Sequence, residues 1–219
     1  MTDQLDLSPA AGFIAEPVRA ELPGLRLDWV SLPVRRRSTP PELKRRLREL
    51  STRLRGANVV TLRTQPVAHA YRAFFRQIGL DPDVTRIPSE QAVLARMLLG
   101  EFRSENLIAD ALLISLVETG VPVWALDADV VDAGGLGIRT SHPDEQLREG
   151  ATPSRLSPGT LVVADARCVH ALLFGEVTRA HAVSRRTSRA VLYSVGVRGV
   201  PAIHIEEALW LCADILGGG

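Results

Sequence analysis

The longest apolar run in the chain, from Asn106 to Asp127, predicts a buried helix followed by a buried strand. Its apolar residues between Leu107 and Val117 surround the whole helix axis, which is typical of a helix enclosed on all sides. Gly120 is suited to end this helix, and Pro122 prevents its continuation. The next apolar residues, up to Leu126, favour a short strand. We therefore expect this helix and strand to lie at the centre of the fold.

Asp110 is the isolated carboxylate in the first turns of that helix, and two interpretations of it stay open. In the first, the carboxylate accepts free backbone N–H groups at the helix N-terminus, where the helix dipole also favours negative charge. In the second, it faces a pocket and binds the ammonium or hydroxyl group of a ligand. The two roles are compatible with each other.

The spacing of apolar residues elsewhere predicts helices in the middle of the chain and mainly sheet after it. The predicted helices are 41–55, 66–78, 90–99 and 203–216, and the predicted strands are 25–33, 57–62, 136–139, 160–164, 169–174 and 189–195. Ser89 is expected to cap the helix 90–99. The core face of that helix is predicted to consist of Val93, Leu94, Met97 and Leu98.

Several charged residues are assigned structural roles. Arg72, Arg86, Glu90 and Arg96 lie in or around the predicted loop 81–88, and we expect some of them to form ion pairs there. Asp165 stands at a predicted turn, where an aspartate commonly accepts hydrogen bonds from its own backbone.

Asp127 stands at the end of the buried strand, and Asp129 and Asp132 follow it closely. We interpret them as a solvated acidic loop rather than a metal site, because such a loop rarely places six oxygens around one ion. Asp127, at the strand end, is assigned a structural role.

The cysteines and histidines show no recognisable site. Cys168 and Cys212 lie in apolar surroundings without metal-ligand spacing, so they are interpreted as reduced core residues. His170 and His181 have no partner at a readable spacing, and a structural role is expected for them. No metal and no cofactor are predicted.

The helix 41–55 has a strongly basic outer face. Nine Lys or Arg residues stand against two Glu between Arg35 and Arg55, although the whole chain has a net charge of only +1. Most such runs are solvated helix faces. The alternative is contact with the phosphate backbone of RNA. Its candidate residues are Arg45, Arg46, Arg48 and Arg53.

Composition indicates an ordinary globular protein of one domain, with 46% hydrophobic and 23% charged residues. No uncharged apolar run is long enough to cross a membrane, and no signal peptide is evident, so a cytoplasmic protein without membrane contact is expected. The phosphate-binding loop, the dinucleotide fingerprint, the nucleophile elbow and the zinc-protease motif are all absent from the sequence.

Four segments, in order, resemble the B3/B4 tRNA-editing domain of the phenylalanyl-tRNA synthetase beta chain. They are QPVAHAYRAFFRQIGLDPDVTRIPSEQAVLARMLLGEF, the N-x-x-x-D at Asn106 to Asp110, GVPVWALD, and LVVADARCVHALLFG. The resemblance implies a free-standing α+β protein with a mostly antiparallel, barrel-like sheet and packed helices. It divides the chain into a partly ordered lead-in (1–24), a strand and basic helix (25–56), the B3/B4-like core (57–200), and a C-terminal helix with a Gly tail (201–219).

The resemblance also implies site residues. Pro122 and Asp127 match the family's Pro-x-His-Ala-x-Asp motif, whereas the histidine of that motif is replaced by Trp124. Gly175 matches a pocket glycine. Tyr193 or Ser194 stands where the family has the glutamate that recognises the tyrosine hydroxyl. Because that acid is missing, tyrosine is not the expected substrate.

The function implied is hydrolysis in trans of a mischarged or nonstandard aminoacyl-tRNA ester. Water would attack the ester, and the site would position both without a cofactor. Asp110 would hold the α-ammonium group, and Pro122 and Trp124 would shape the side-chain pocket. One alternative is a binding module for RNA or an amino acid without catalysis. Another is an interaction protein that docks through its C-terminal helix, for which Trp210 is the candidate contact.

Overall fold

The computed structural model describes residues 8–34, 38–54, 64–147 and 154–217, and it shows an α+β protein. Its six described α-helices are α1 (Glu16–Glu21), α2 (Pro41–Arg53), α3 (Pro66–Gln77), α4 (Pro88–Leu99), α5 (Leu107–Thr119) and α6 (Ala202–Gly217). The predicted helices are therefore confirmed to within a few residues at their ends. The predicted strand 57–62 lies outside the described residues.

The first sheet contains β1 (Ala10–Ala11), β3 (Arg26–Pro33), β10 (Arg189–Gly196) and β4 (Val123–Asp127), in the order β1-β3-β10-β4. All its neighbouring strands are antiparallel. Tyr193 of β10 pairs with Trp29 of β3 on one side and with Trp124 of β4 on the other. One of the two inner strands of this sheet, β10, is thus the last strand in the described part of the chain.

The second sheet contains β2 (Phe13–Ile14), β5 (Gly137–Thr140), β8 (Leu161–Ala164) and β9 (Val169–Leu172), in that order. Only the β2/β5 pair is parallel. A small hairpin joins β6 (Gln146–Leu147) to β7 (Ser154–Arg155). Among the described residues the sheets stay open, so the expected barrel-like closure is wrong, whereas the mostly antiparallel α+β class is confirmed.

The N-terminal segment takes part in both sheets. β1 pairs with β3, β2 pairs with β5, and the Gly12 N–H between them donates to Leu27 O at 2.8 Å. Residues 10–14 therefore bridge the two sheets, which is more than the lead-in role expected for 1–24.

The central helix α5 packs between α2, α4, α6 and β4. Its start is fixed by Asn106, whose side chain accepts a hydrogen bond from Ala109 N at 3.1 Å. Its end is fixed by Gly120, which adopts φ +75°, a conformation that costs glycine little. Ala111 and Ile114 are completely buried. The predicted helix, turn and strand are confirmed, but the helix is not enclosed on all sides by the described residues, since Leu112, Leu113, Leu116 and Val117 are only half-buried.

Two expectations for α4 are wrong. The helix starts at Pro88 after an Ile87 cap, so Ser89 lies inside its first turn, where its buried Oγ has no hydrogen bond to any described residue. Met97 and Leu98 are 55% and 77% exposed instead of facing the core. Only the N-terminal part of α4, at Val93, is buried in the core, and the helix then projects away from it.

None of the helices in the described part of the chain is both long enough and apolar enough to cross a membrane.

Candidate functional site

Four of the predicted pocket residues lie together across the β4/β10 pair. Tyr193 is opposite Trp124, and Ser194 is opposite Val123. The Ser194 hydroxyl donates to Pro122 O at 2.9 Å, which fixes the turn that leads into β4. Residues about seventy positions apart in sequence therefore meet at this strand pair, and we call it the β4/β10 wall. Because side chains alternate along a strand, Trp124 and Tyr193 share one face of the sheet, and Ser194 lies on the opposite face.

Aromatic rings dominate that wall. The Trp124 and Tyr193 rings stack with centroids 5.3 Å apart and planes 13° apart, and Phe174 lies 6.0 Å from Trp124. Tyr71 and Phe75 of α3 also contact Phe174, with ring centroids 5.6 and 5.3 Å from it. Tyr193 is 1% exposed, whereas Trp124 and Phe174 are half-buried, so these two rings present the accessible part of the wall.

Phe174 has an unusual backbone conformation, with φ +62° in the left-handed region. Non-glycine residues are uncommon there and pay a conformational cost. The neighbouring Gly175 N–H donates to Leu172 O at 2.8 Å and closes the turn. The tight turn after β9 thus directs Phe174 toward Trp124 and places Gly175 beside the wall.

Asp110 is 1% exposed, and both of its carboxylate oxygens accept hydrogen bonds from the protein. Oδ2 accepts from the hydroxyls of Thr39 and Ser104, and Oδ1 accepts from Glu105 N at 2.9 Å. The carboxylate therefore ties the segment before α2 and the loop before α5 to the first turn of α5. This geometry favours the structural interpretation over a bond to a ligand ammonium group.

The basic residues of α2 divide into two groups. Arg46 Nε and Nη2 donate to the two carboxylate oxygens of Glu118 in α5, at 2.8 and 2.6 Å. This bidentate ion pair holds α2 against α5. Arg45 and Arg53 are exposed, with Arg45 3.9 Å from Glu49 and Arg53 3.9 Å from Glu118. Arg48 is also exposed. Arg46 thus stabilises the fold, while the other three arginines form an accessible basic face.

The expected ion pairs around the loop 81–88 centre on Arg72. Its guanidinium donates to both Glu90 oxygens at 2.9 and 3.0 Å and to Asp83 at 2.8 Å. The side chains of Arg72 and Glu90 are 9% and 5% exposed. Arg86 is half-buried and makes no ion pair with the described residues. Arg72 and Glu90 thus form an ion pair of the kind expected around this loop.

Asp127 and Asp165 both stabilise turns. Asp127 accepts from Asp129 N at 3.0 Å and from the Thr187 hydroxyl. Asp165 accepts from the backbone N–H groups of Arg167, Cys168 and Asp132. Burial alone would raise the pKa of Asp165, but these three donors together hold the pKa below its usual value.

A group that the sequence did not predict lies beside an open cleft of about 440 Å³. Cys168 Sγ is 3.5 Å from His181 Nε2, and the His170 and His181 rings are 4.6 Å apart in a T-shaped arrangement. Cys168 and His181 line the cleft, together with Glu145 and Arg167. The expectation of histidines without a cysteine partner is therefore wrong.

The two cysteines have different surroundings, although both were interpreted as core residues. Burial raises the pKa of the Cys212 thiol to about 12, so this cysteine stays protonated and inert, as expected. Cys168 is half-buried at the cleft. The spacing of Cys168 and His170 could have indicated a shared face of an extended chain. His181 joins them only through the turn after β9, which residue spacing does not reveal.

Neither a model of a known protein family nor a curated protein sequence matches this chain.

Proposed function

We propose that this protein binds tRNA and hydrolyses a mischarged or nonstandard aminoacyl-tRNA ester in trans. The observation that carries the proposal is the β4/β10 wall. Two of the segments that resemble the B3/B4 editing domain meet β10 there: Trp124 pairs with Tyr193 across the strands, and Phe174, next to Gly175, packs on Trp124. Several residues that the resemblance assigns to one pocket thus lie near each other, although Ser194 is on the opposite face of the sheet.

The wall suits an apolar or aromatic amino-acid side chain. Trp124 and Phe174 are half-buried rings whose faces and edges would pack against such a group. Burial raises the pKa of the Tyr193 phenol, so Tyr193 adds no charge to the wall. Both Asp110 oxygens are already hydrogen-bonded within the protein, so Asp110 is not the group that binds the substrate ammonium.

The basic face of α2 supports tRNA as the larger part of the substrate. Arg46 joins α2 to Glu118, which lies four residues before Pro122 in sequence. The exposed Arg45, Arg48 and Arg53 are therefore carried on a helix that is fixed next to the element leading into the wall. Each arginine that contacts a phosphate would release counterions and strengthen binding at low salt.

Incubating the protein with total aminoacyl-tRNA and identifying the released amino acids tests the hydrolysis. One amino acid, or a small chemically related set, should be released faster than by spontaneous hydrolysis. Trp124→Ala should reduce this release at least about 10-fold, since positioning the ester is the main contribution expected of the site. Trp210→Ala is the matched control, because Trp210 lies on α6, outside the wall, and is 46% exposed.

Thermal unfolding of Trp124→Ala must show a folded protein for the comparison to hold. If no aminoacyl ester is cleaved faster than the spontaneous rate, the hydrolytic proposal is wrong. Retention of salt-sensitive tRNA binding in that case would identify the non-catalytic binding module instead.

Binding of tRNA through the exposed arginines of α2 can be tested separately from hydrolysis. Replacing Arg45 and Arg48 with Glu should weaken tRNA binding and reduce the slope of log K against log salt by about 1–2, as expected for the loss of two phosphate contacts. Arg76→Glu with Arg103→Glu is the control, because both side chains are exposed and lie outside α2. Equal affinities of the two double variants at every salt concentration would contradict binding through α2.

A further inference from the structure

The cleft beside β9 holds a set of potential metal ligands that the proposed function does not use. Cys168, His170 and His181 each offer one ligand atom, and these atoms lie within 4.8 Å of one another. We call these three residues the Cys-His cluster. In a tetrahedral zinc site, bond lengths of about 2.0–2.3 Å place neighbouring ligand atoms roughly 3.3–3.7 Å apart. The 3.5 Å separation of Cys168 Sγ and His181 Nε2 already falls in this range.

The groups around the cluster orient its imidazoles as ligands. His181 Nδ1 is 2.8 Å from the Thr178 hydroxyl, so its Nε2 is directed at Cys168. His170 Nε2 faces Asp165 Oδ2 at 3.3 Å, which leaves Nδ1 as the ligating nitrogen. Metal-bound histidines commonly hold their second nitrogen against a carboxylate, hydroxyl or carbonyl in this way.

His170 provides a separate observation that indicates a missing ligand. Its side chain is completely buried, and although Nε2 lies 3.3 Å from Asp165 Oδ2, Nδ1 has no hydrogen-bond partner among the described residues. A buried polar group without a partner is costly, and native structures contain few of them. A metal ion bound to His170 would satisfy one of these nitrogens.

We propose that Cys168, His170 and His181 bind a zinc ion whose fourth coordination position faces the cleft. A thiolate with two imidazoles is a ligand set that zinc accepts, and three protein ligands with one open position are typical of catalytic rather than purely structural zinc. The open position is expected to hold water, because Cys168 and His181 line the cleft. Asp165 and Thr178 are the outer residues that orient the two histidines.

A simple cysteine–histidine pair is the main competing interpretation. It would use Cys168 and His181 and would leave Nδ1 of the buried His170 without a partner among the described residues. The zinc site uses all three residues and both orienting groups. The proposal does not depend on tRNA binding or on the β4/β10 wall.

The experiment uses the full-length protein, treated with a chelator and a thiol reductant and then titrated with Zn²⁺ or Co²⁺. One equivalent of metal should bind, and Co²⁺ should produce a thiolate charge-transfer band in the near ultraviolet. Cys168→Ser should abolish this band and stoichiometric binding. Thr178→Val, which removes only an orienting hydroxyl, should weaken affinity by about 10–100-fold.

Cys212→Ala is the matched control, because it removes the other thiol and should leave metal binding unchanged. Circular dichroism of each metal-free variant distinguishes loss of a ligand from loss of the fold. Equal Zn²⁺ affinity in the wild type and the folded Cys168→Ser variant would overturn the proposal. So would absence of metal binding combined with rapid alkylation of Cys168 that requires His181, which would establish the cysteine–histidine pair.

Discussion

Replacing Arg72 with Met should lower the free energy of unfolding by about 3–5 kcal/mol. The substitution keeps much of the apolar side chain but removes the guanidinium that neutralises Glu90, whose side chain is only 5% exposed. A carboxylate buried without its opposite charge is strongly unfavourable, whereas the intact pair offsets its own desolvation. For a chain of this length, the loss corresponds to a fall in Tm of roughly 10 °C. Urea unfolding followed by circular dichroism measures the change.

A double-mutant cycle shows whether the pair itself is responsible. Arg72→Met combined with Glu90→Met should cost clearly less than the sum of the two single changes, because it leaves neither charge buried. Arg76→Met is the matched control on the same helix, and its exposed side chain predicts an effect within about 0.5 kcal/mol. Additive effects of the two single changes would show that Arg72 and Glu90 act independently.

Asp110→Ala should destabilise the protein by about 3 kcal/mol, before any effect on ligand binding. The change leaves the hydroxyl of Thr39 and the N–H of Glu105 without their acceptor, and it removes a negative charge from the first turn of α5. Hydrogen bonds to a charged carboxylate are worth more than neutral ones, so this loss exceeds that of an ordinary cap. Thermal and urea unfolding of the purified variant measure it.

Glu105→Ala is the control for Asp110. It removes an exposed carboxylate five residues earlier but keeps the backbone N–H that Asp110 accepts, so its effect should stay within about 0.5 kcal/mol. If Asp110→Ala keeps wild-type stability but loses a ligand-dependent activity, the ligand-binding interpretation of Asp110 is correct and the structural one is wrong. Loss of stability under all ligand conditions supports the structural role.

Local patterns were sufficient to predict most of the helices and strands. The run from Leu107 to Val117, with Asn106 before it and Gly120 after it, carries its own start and stop signals, and α5 follows them. Where prediction failed, tertiary contact decided the outcome. Met97 and Leu98 have helical spacing suited to a core, but the part of α4 that carries them extends beyond its neighbours.

The candidate sites also depend on tertiary contacts that local sequence patterns do not show. Trp124 and Tyr193 become neighbours through a strand register that spans almost seventy residues, which only the family resemblance suggested. The Cys-His cluster depends on a turn that brings His181 back to His170, and on the buried environment of β9. Neither the turn geometry nor the burial of a histidine leaves a periodic signal in the sequence.

The position of β10 has a consequence for the order of folding. β10 lies between β3 and β4, and β4 pairs with no other strand among the described residues. Because β10 begins at residue 189, about sixty further residues must be synthesised after β4 before its strand partner is available. Contacts between such distant segments carry a large loop-closure cost and slow folding. The β4/β10 wall is therefore completed only after synthesis has passed Gly196, long after β3 and β4 have been made.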